Sequence, residues 1–239
     1  MEEKYNTLNK KIPDISVPEP YYECDFIDSP LVAITEDTGI IVELQYPILK
    51  MENAIDECYV RKEVLDKLLE AKNKLPSNLT FKIWDAYRPL SLQKEIYYKY
   101  RKDIIKEFNL EDMPAEERNK IINNYVAIPI EDENFPPQHT TGGAVDITLA
   151  YTDTKETLDL GIPFDSFSSL TNTDAYEHEK MDENVRNNRR ILYNAMTSVG
   201  FTNLPSECWH FDYGDRNWAY YNNKPAIYKG IFELKKEER

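Results

Sequence analysis

Stretches with strand character and stretches with helical periodicity follow one another along this 239-residue chain in no regular rhythm, and that order constrains its fold more than any other feature. Parallel α/β folds alternate the two strictly, so the expectation here is an α+β fold with a mainly antiparallel central sheet flanked by helices. Residues 31–35 and 40–44 are short β-branched runs on either side of Asp37-Thr38-Gly39, which predicts a hairpin. Val60, Val64, Leu65, Leu68 and Leu69 recur at helical spacing, and Pro76 stands just beyond the expected helix end. Residues 80–84 read as a strand, Pro89 opens a helical stretch through Ile96 and Tyr100, and a further helix starts at Pro114. After an acidic, proline-rich segment at 128–137, residues 144–149 have the content of a buried strand. A helix is expected over 184–199 with Gly200 placed to cap it, followed by a strand over 209–213.

No repeat, low-complexity tract or Gly/Ser linker divides the chain, so residues 1–239 are expected to form a single domain. Its 41% hydrophobic content suffices for a core. A formal net charge of −14 repels phosphate backbones and anionic headgroups, which argues against nucleic-acid and membrane partners. The opening MEEKYNTLNKK has no apolar core of a signal peptide, and nowhere do 18 apolar residues run together, so the expected setting is soluble and cytoplasmic. Three cysteines with no C-x-x-C pair are expected to be reduced thiols.

The chain has three histidines, and two of them, His139 and His210, lie where small and aromatic residues crowd together. In His139-Thr-Thr-Gly142-Gly143-Ala-Val-Asp146, adjacent glycines let the backbone turn tightly, so a loop histidine and an aspartate early in a strand can face one point. In Glu207-Cys208-Trp209-His210, residues three apart would point to opposite faces of a regular strand. Glu207 and His210 can converge only if Glu207 lies in a turn after Pro205, and that bend is predicted. Two imidazoles and one carboxylate give zinc three protein ligands and leave a fourth position for water, the pattern of catalytic sites. A nearby carboxylate, here Glu207, can then take a proton from water, and Arg88 before Pro89 is the best candidate to stabilise an oxyanion.

Tyr87-Arg88-Pro, His139-x-x-Gly142-x-Ala-x-Asp146 and Glu207-x-Trp209-His210, in this order and spacing, resemble the D-alanyl-D-alanine dipeptidases, relatives of the zinc D,D-carboxypeptidases. The resemblance runs from about Pro18 to Trp218. It implies the α+β zinc D,D-peptidase fold, one zinc ion per chain held by His139, Asp146 and His210, and free D-Ala-D-Ala as substrate. It further implies Glu207 as acid/base, Arg88 as the oxyanion-stabilising group and, through Phe164-Asp165, Asp165 as partner of the substrate ammonium. Recovery of D-alanine from cell-wall turnover and evasion of vancomycin-type antibiotics would use the same site. Two positions depart from the family pattern: Pro137 stands where a serine is usual, removing a hydroxyl donor, and Cys208 replaces a tryptophan.

Other readings of these residues remain open at this level. Arg88 suits an ion pair with Asp85 equally well, Asp165 suits a turn cap before Ser166, and Cys208 with His210 would make a ligand pair only by displacing Glu207. His178, between Glu177 and Glu179, reads as a solvated residue. A D,D- or L,D-carboxypeptidase acting on longer wall peptides would use the same chemistry. A non-catalytic zinc-containing peptide-binding module would have no need of both Glu207 and Arg88.

Overall fold

The computed structural model describes residues 2–178 and 180–234. In chain order its elements are α1 (Glu2–Leu8), β1 (Leu31–Ala33), β2 (Ile41–Val42), α2 (Gln45–Ile48), β3 (Tyr59–Arg61), α3 (Lys62–Lys74), β4 (Leu79–Asp85), α4 (Leu90–Glu107), α5 (Ala115–Asn123), β5 (Ala144–Tyr151), α6 (Glu183–Thr197), β6 (Thr202–Asn203), β7 (His210–Asp212) and α7 (Arg216–Asn222). The central sheet has the order β2-β4-β5-β7-β6, in which β2 lies parallel to β4 and the remaining pairings are antiparallel. This is the expected α+β architecture with a mainly antiparallel sheet. Among the described residues no helix is long and apolar enough to cross a membrane.

The helices begin and end where local chemistry dictates. Pro89 and Pro114 occupy the N-caps of α4 and α5, where a missing N–H costs nothing and the fixed φ suits entry into a helix. Asp182 caps α6 by accepting from the backbone N–H groups of Asn184 and Val185. Past its end Gly200 sits at φ 101°, a left-handed conformation that a side chain would resist. α1 and α7, whose sequences carry little apolar periodicity, were not foreseen.

The expected hairpin does not form. A short 3-10 turn at Glu36–Thr38, ended by Gly39 at φ 66°, sends the two runs to different partners. β1 pairs antiparallel with β3 in a separate two-stranded sheet, and β2 pairs with β4. Joining β4 covers an otherwise open edge of a fully buried strand, which a local hairpin would have left exposed.

One face of the central sheet is apolar. Phe81 stands opposite Leu149, Ile83 opposite Ile147 and Val145 opposite Phe211. Val64, Leu68 and Ala71 of α3 and Ile191, Leu192, Ala195 and Met196 of α6 belong to the same buried cluster. A second cluster, built on Leu92, Ile96, Tyr100 and Ile104 at four-residue spacing along α4, joins Ile122 and Val126 near α5. Between these two cores lies the cleft.

Candidate metal centre and catalytic cleft

The face of the sheet opposite the α3–α6 core carries the polar groups. Asp146 on β5 is in register with His210 on β7, so their side chains emerge side by side. On the other flank the pairing of β4 with β5 slips between Ile83 and Asp85. Regular alternation would put Asp85 on the same side as Ile83, in the core; the one-residue slip at Trp84 sets it opposite Asp146 instead.

His139 arrives from outside the sheet, in a 3-10 turn over Gln138–Thr141 that Gly142 ends at φ 74°. Gly143 next to it has a different task. A Cβ there would collide with the carbonyl oxygen of Tyr213, whose N–H donates to Gly143 O at 3.0 Å. The first glycine makes the turn, and the second lets β5 start against the chain that leaves β7.

Both imidazoles have their outward nitrogens occupied. His139 Nδ1 lies 2.8 Å from the carbonyl oxygen of Ala86, and His210 Nε2 lies 2.8 Å from Asp212 Oδ1. Those acceptors require N–H groups, so the tautomers leave lone pairs on His139 Nε2 and His210 Nδ1, both aimed inward. The two nitrogens stand 3.2 Å apart, with Asp146 Oδ1 at 3.4 Å from the first and 3.0 Å from the second. Three electron-rich atoms facing one another in a buried pocket repel unless a cation or proton lies among them. Consistently, although burial opposes charge on His210, Asp212 and Asp146 raise its pKa well above the ordinary histidine value, so a proton takes that place when no metal does. Burial alone would raise the Asp146 carboxyl, but His139 and His210 outweigh it and hold it far below the usual carboxylate range.

The donor set fits zinc. Bonds of ~2.0–2.1 Å to nitrogen and oxygen in a tetrahedron separate the ligand atoms by about 3.3–3.4 Å, close to the spacing found here. A neutral Nε2, a neutral Nδ1 and a carboxylate oxygen also make the three-ligand pattern of open sites.

Glu207 lies in the predicted bend. Its N–H donates to Leu204 O, and its own carbonyl accepts from His210 N–H, so two successive turns carry the chain from Pro205 into β7. Glu207 Oε2 comes within 3.9 Å of His210 Nδ1. Burial, offset in part by His210, pushes its carboxyl up to about 7, a value suited to proton transfer near neutrality.

Arg88 is buried and held from several sides. Its Nε donates to Asp85 at 2.8 Å and its Nη1 to Gln93 at 2.7 Å, its Nη2 is 3.2 Å from the Tyr46 hydroxyl, and its guanidinium lies over the Tyr46 ring. The ion pair with Asp85 therefore exists, and it orients the arginine: Nη2 also reaches within 3.7 Å of Asp146 Oδ2 at the cleft floor. Asp165 sits across the cleft, where Tyr46 and Tyr100 donate to its Oδ2 at 2.9 and 2.6 Å. Burial dominates its carboxyl and pushes it up to about 6, against the lowering effect of the Tyr100 hydrogen bond.

All six residues singled out in the sequence thus border one cavity of about 460 Å³. Cys208 is buried as a free thiol and Glu207 keeps its place, so no Cys/His ligand pair arises. His178 is exposed. Sequence reading named Asp85 only as an ion-pair partner of Arg88, and it missed Tyr46, Tyr100 and Asp212. Of these three only Asp212 carried a local signal, since it follows His210 by two on a strand and must share its face.

A family model described as D-ala-D-ala dipeptidase matches residues 48–229. Curated D-alanyl-D-alanine dipeptidases are similar to this chain: one from Synechocystis sp. is 30% identical over 155 residues, 59% of this chain and 62% of that protein. Another, from Enterococcus faecalis, is 28% identical over 158 residues, 59% of this chain and 66% of that protein. The matches thus span 62% and 66% of the length of these relatives. A solved zinc-bound vancomycin-resistance D,D-pentapeptidase variant is a looser likeness, at 15% identity and TM-score 0.41, covering 79% of this chain and 96% of that one. With a match that extends from the end of α2 to the segment after α7 and takes in Arg88, His139, Asp146, Asp165, Glu207 and His210, the chain belongs to the D-Ala-D-Ala dipeptidase family.

Proposed function

We propose that this chain is a zinc metallopeptidase that hydrolyses free D-Ala-D-Ala to D-alanine. The observation that carries the reading is the convergence of His139 Nε2, Asp146 Oδ1 and His210 Nδ1 at 3.0–3.4 Å, with Glu207 and Arg88 bordering the same cavity. Zinc held by those three atoms supplies Lewis acidity, polarising a peptide carbonyl and making water easier to deprotonate.

The rest of the chemistry belongs to the chain. Asp165 binds the substrate's free ammonium through Oδ1, while the two tyrosine hydroxyls hold Oδ2 in place. This fixes the scissile carbonyl at a set distance from the anchored amine and disfavours peptides without one. Glu207 takes a proton from the attacking water as its oxygen bonds to the carbonyl carbon. Arg88, kept rigid by Asp85 and Gln93, donates from Nη2 to the oxygen that gains negative charge. Glu207 then delivers the proton to the departing amine, the C–N bond breaks, and two molecules of D-alanine result.

We read the chain as one domain acting in the cytoplasm on a small dipeptide, with no nucleic-acid or membrane partner; its acidic charge and free thiols support that reading. The test offers the purified protein D-Ala-D-Ala, L-Ala-L-Ala and N-acetyl-D-Ala-D-Ala, each with and without a chelator. Cleavage of the first alone, lost on chelation and restored by zinc, is expected. Glu207→Gln should retain zinc and lose ~10²–10⁴-fold in kcat; near-full turnover by that variant would refute the assignment of the base.

A further inference from the structure

The cleft has a second lobe, of about 230 Å³, beside the chamber that holds the metal donors. Asp165, Ser206, Glu207, Asn124 and Tyr125 border both spaces, whereas Arg88, His139, Asp146 and His210 border the larger chamber alone. The lobe therefore adjoins the chamber along the stretches that carry the two acidic residues. Its wall is the loop carrying Ser166, Phe167, Ser168, Ser169, Thr171 and Asn172, together with Trp209.

This wall is firmly built. Arg189 on α6, 2% exposed, donates to the carbonyl oxygens of Leu160, Leu170 and Asn172 at 2.7–2.8 Å and stacks over the Tyr176 ring. The loop is in turn tied to the bend that carries Glu207: Cys208 N–H donates to Thr171 O and Thr173 N–H to Pro205 O, both at 2.9 Å. Asp165 takes φ 55°, a left-handed turn that aspartate tolerates, at the point where the loop leaves the chamber wall for the lobe. An arginine committed to three carbonyls on both sides of Asp165 makes the lobe a fixed feature of the cleft.

We infer that this lobe receives the side chain of the substrate's N-terminal residue and admits polar side chains of the size of serine, asparagine or glutamine. The inference rests on the proposed dipeptidase reading and names a wider substrate class for it. In a dipeptide the N-terminal Cα is bonded both to the amine, which Asp165 binds, and to the scissile carbonyl, which Glu207 serves. A substituent on that carbon leaves from between those two groups, toward the adjoining lobe; the C-terminal residue lies on the other side of the scissile bond. A methyl group leaves most of the lobe to water, at ~30 Å³ per molecule. The hydroxyls of Ser166, Ser168 and Thr171 already bond within the loop, so a hydroxyl or carboxamide pairs instead with the side chains of Ser169, Asn172 and Ser206, whereas an isosteric hydrocarbon only strips those groups of water.

The zinc-loaded protein is assayed for kcat/KM on D-Ala-D-Ala, D-Asn-D-Ala, D-Leu-D-Ala and N-acetyl-D-Ala-D-Ala. D-Asn-D-Ala is expected within ~10-fold of D-Ala-D-Ala, and D-Leu-D-Ala at least ~10-fold below D-Asn-D-Ala. Ser169→Phe, which fills the lobe, and Asn172→Leu, which removes an amide, should each lower the ratio of D-Asn-D-Ala to D-Ala-D-Ala by ~10-fold or more. Taking a ratio cancels any loss of folded enzyme. The inference is overturned if D-Ala-D-Ala is cleaved but D-Asn-D-Ala falls ~100-fold or more below it, or if neither variant changes the ratio. Equal cleavage of the acetylated dipeptide would also overturn it, by making the lobe a channel for N-terminal extension. Hydrolysis of none of the four would instead sink the proposed function, and this inference with it.

Discussion

Asp212→Asn is the perturbation that tests the metal centre most directly, because it changes neither a ligand nor the size of a side chain. Asp212 is fully buried, accepts the outward N–H of His210 at 2.8 Å and receives Asn217 Nδ2 at 3.2 Å on its other oxygen. Its charge makes the imidazole a stronger donor and holds the tautomer whose Nδ1 lone pair faces Asp146. Loss of an outer carboxylate of this kind costs ~10–100-fold in metal affinity, which is ~1.4–2.8 kcal/mol. The assay is competition for zinc against a chromophoric chelator at fixed pH, with the variant's fold checked by circular dichroism. Thermal stability alone would mislead, since without metal Asp212 also supports the protonated His210, so the variant loses stability in the metal-free state too. A zinc dissociation constant unchanged within ~2-fold would refute the claim that Asp212 tunes this site.

Three further outcomes are expected. Asp165 must be ionised to hold an ammonium, and burial places its carboxyl at about 6; KM for D-Ala-D-Ala should therefore climb toward ~10-fold per unit below that pH and stay flat above it until the substrate's own amine loses its proton near ~8. In Asp165→Asn the rise should vanish and KM should be high throughout, and an unchanged acid limb there would assign the effect elsewhere. Gly143→Ala, whose new Cβ meets the Tyr213 carbonyl, should destabilise the fold by ~1–3 kcal/mol in denaturant melts and weaken zinc binding by shifting the start of β5. Arg88→Lys keeps the charge but loses the fork that Asp85 and Gln93 grip; kcat should fall ~10²-fold while zinc affinity changes little, and wild-type turnover by this variant would remove Arg88 from the chemistry.

What the sequence determined by itself is what depends on neighbours along the chain. Apolar spacing with a proline at the first turn located α4 and α5, and the same periodicity located α3 and α6. His139 and Asp146 could be paired because two glycines stand between them, and the bend at Glu207 followed from the impossibility of residues three apart sharing a strand face.

Tertiary structure decided which strands met and in what register. The runs at 31–35 and 40–44 were correctly strand-like but chose distant partners: the 3-10 turn at Glu36–Thr38 parts them, β1 pairs with β3, and β2 pairs with the edge of β4 at Lys82 and Ile83. Asp85 reaches the cleft through a one-residue slip in β4, and Tyr46 and Tyr100 reach Asp165 across 119 and 65 residues of chain. Local sequence carries no record of such contacts. They exist only once two separate cores have packed on either side of the cleft and fixed which side chains face it.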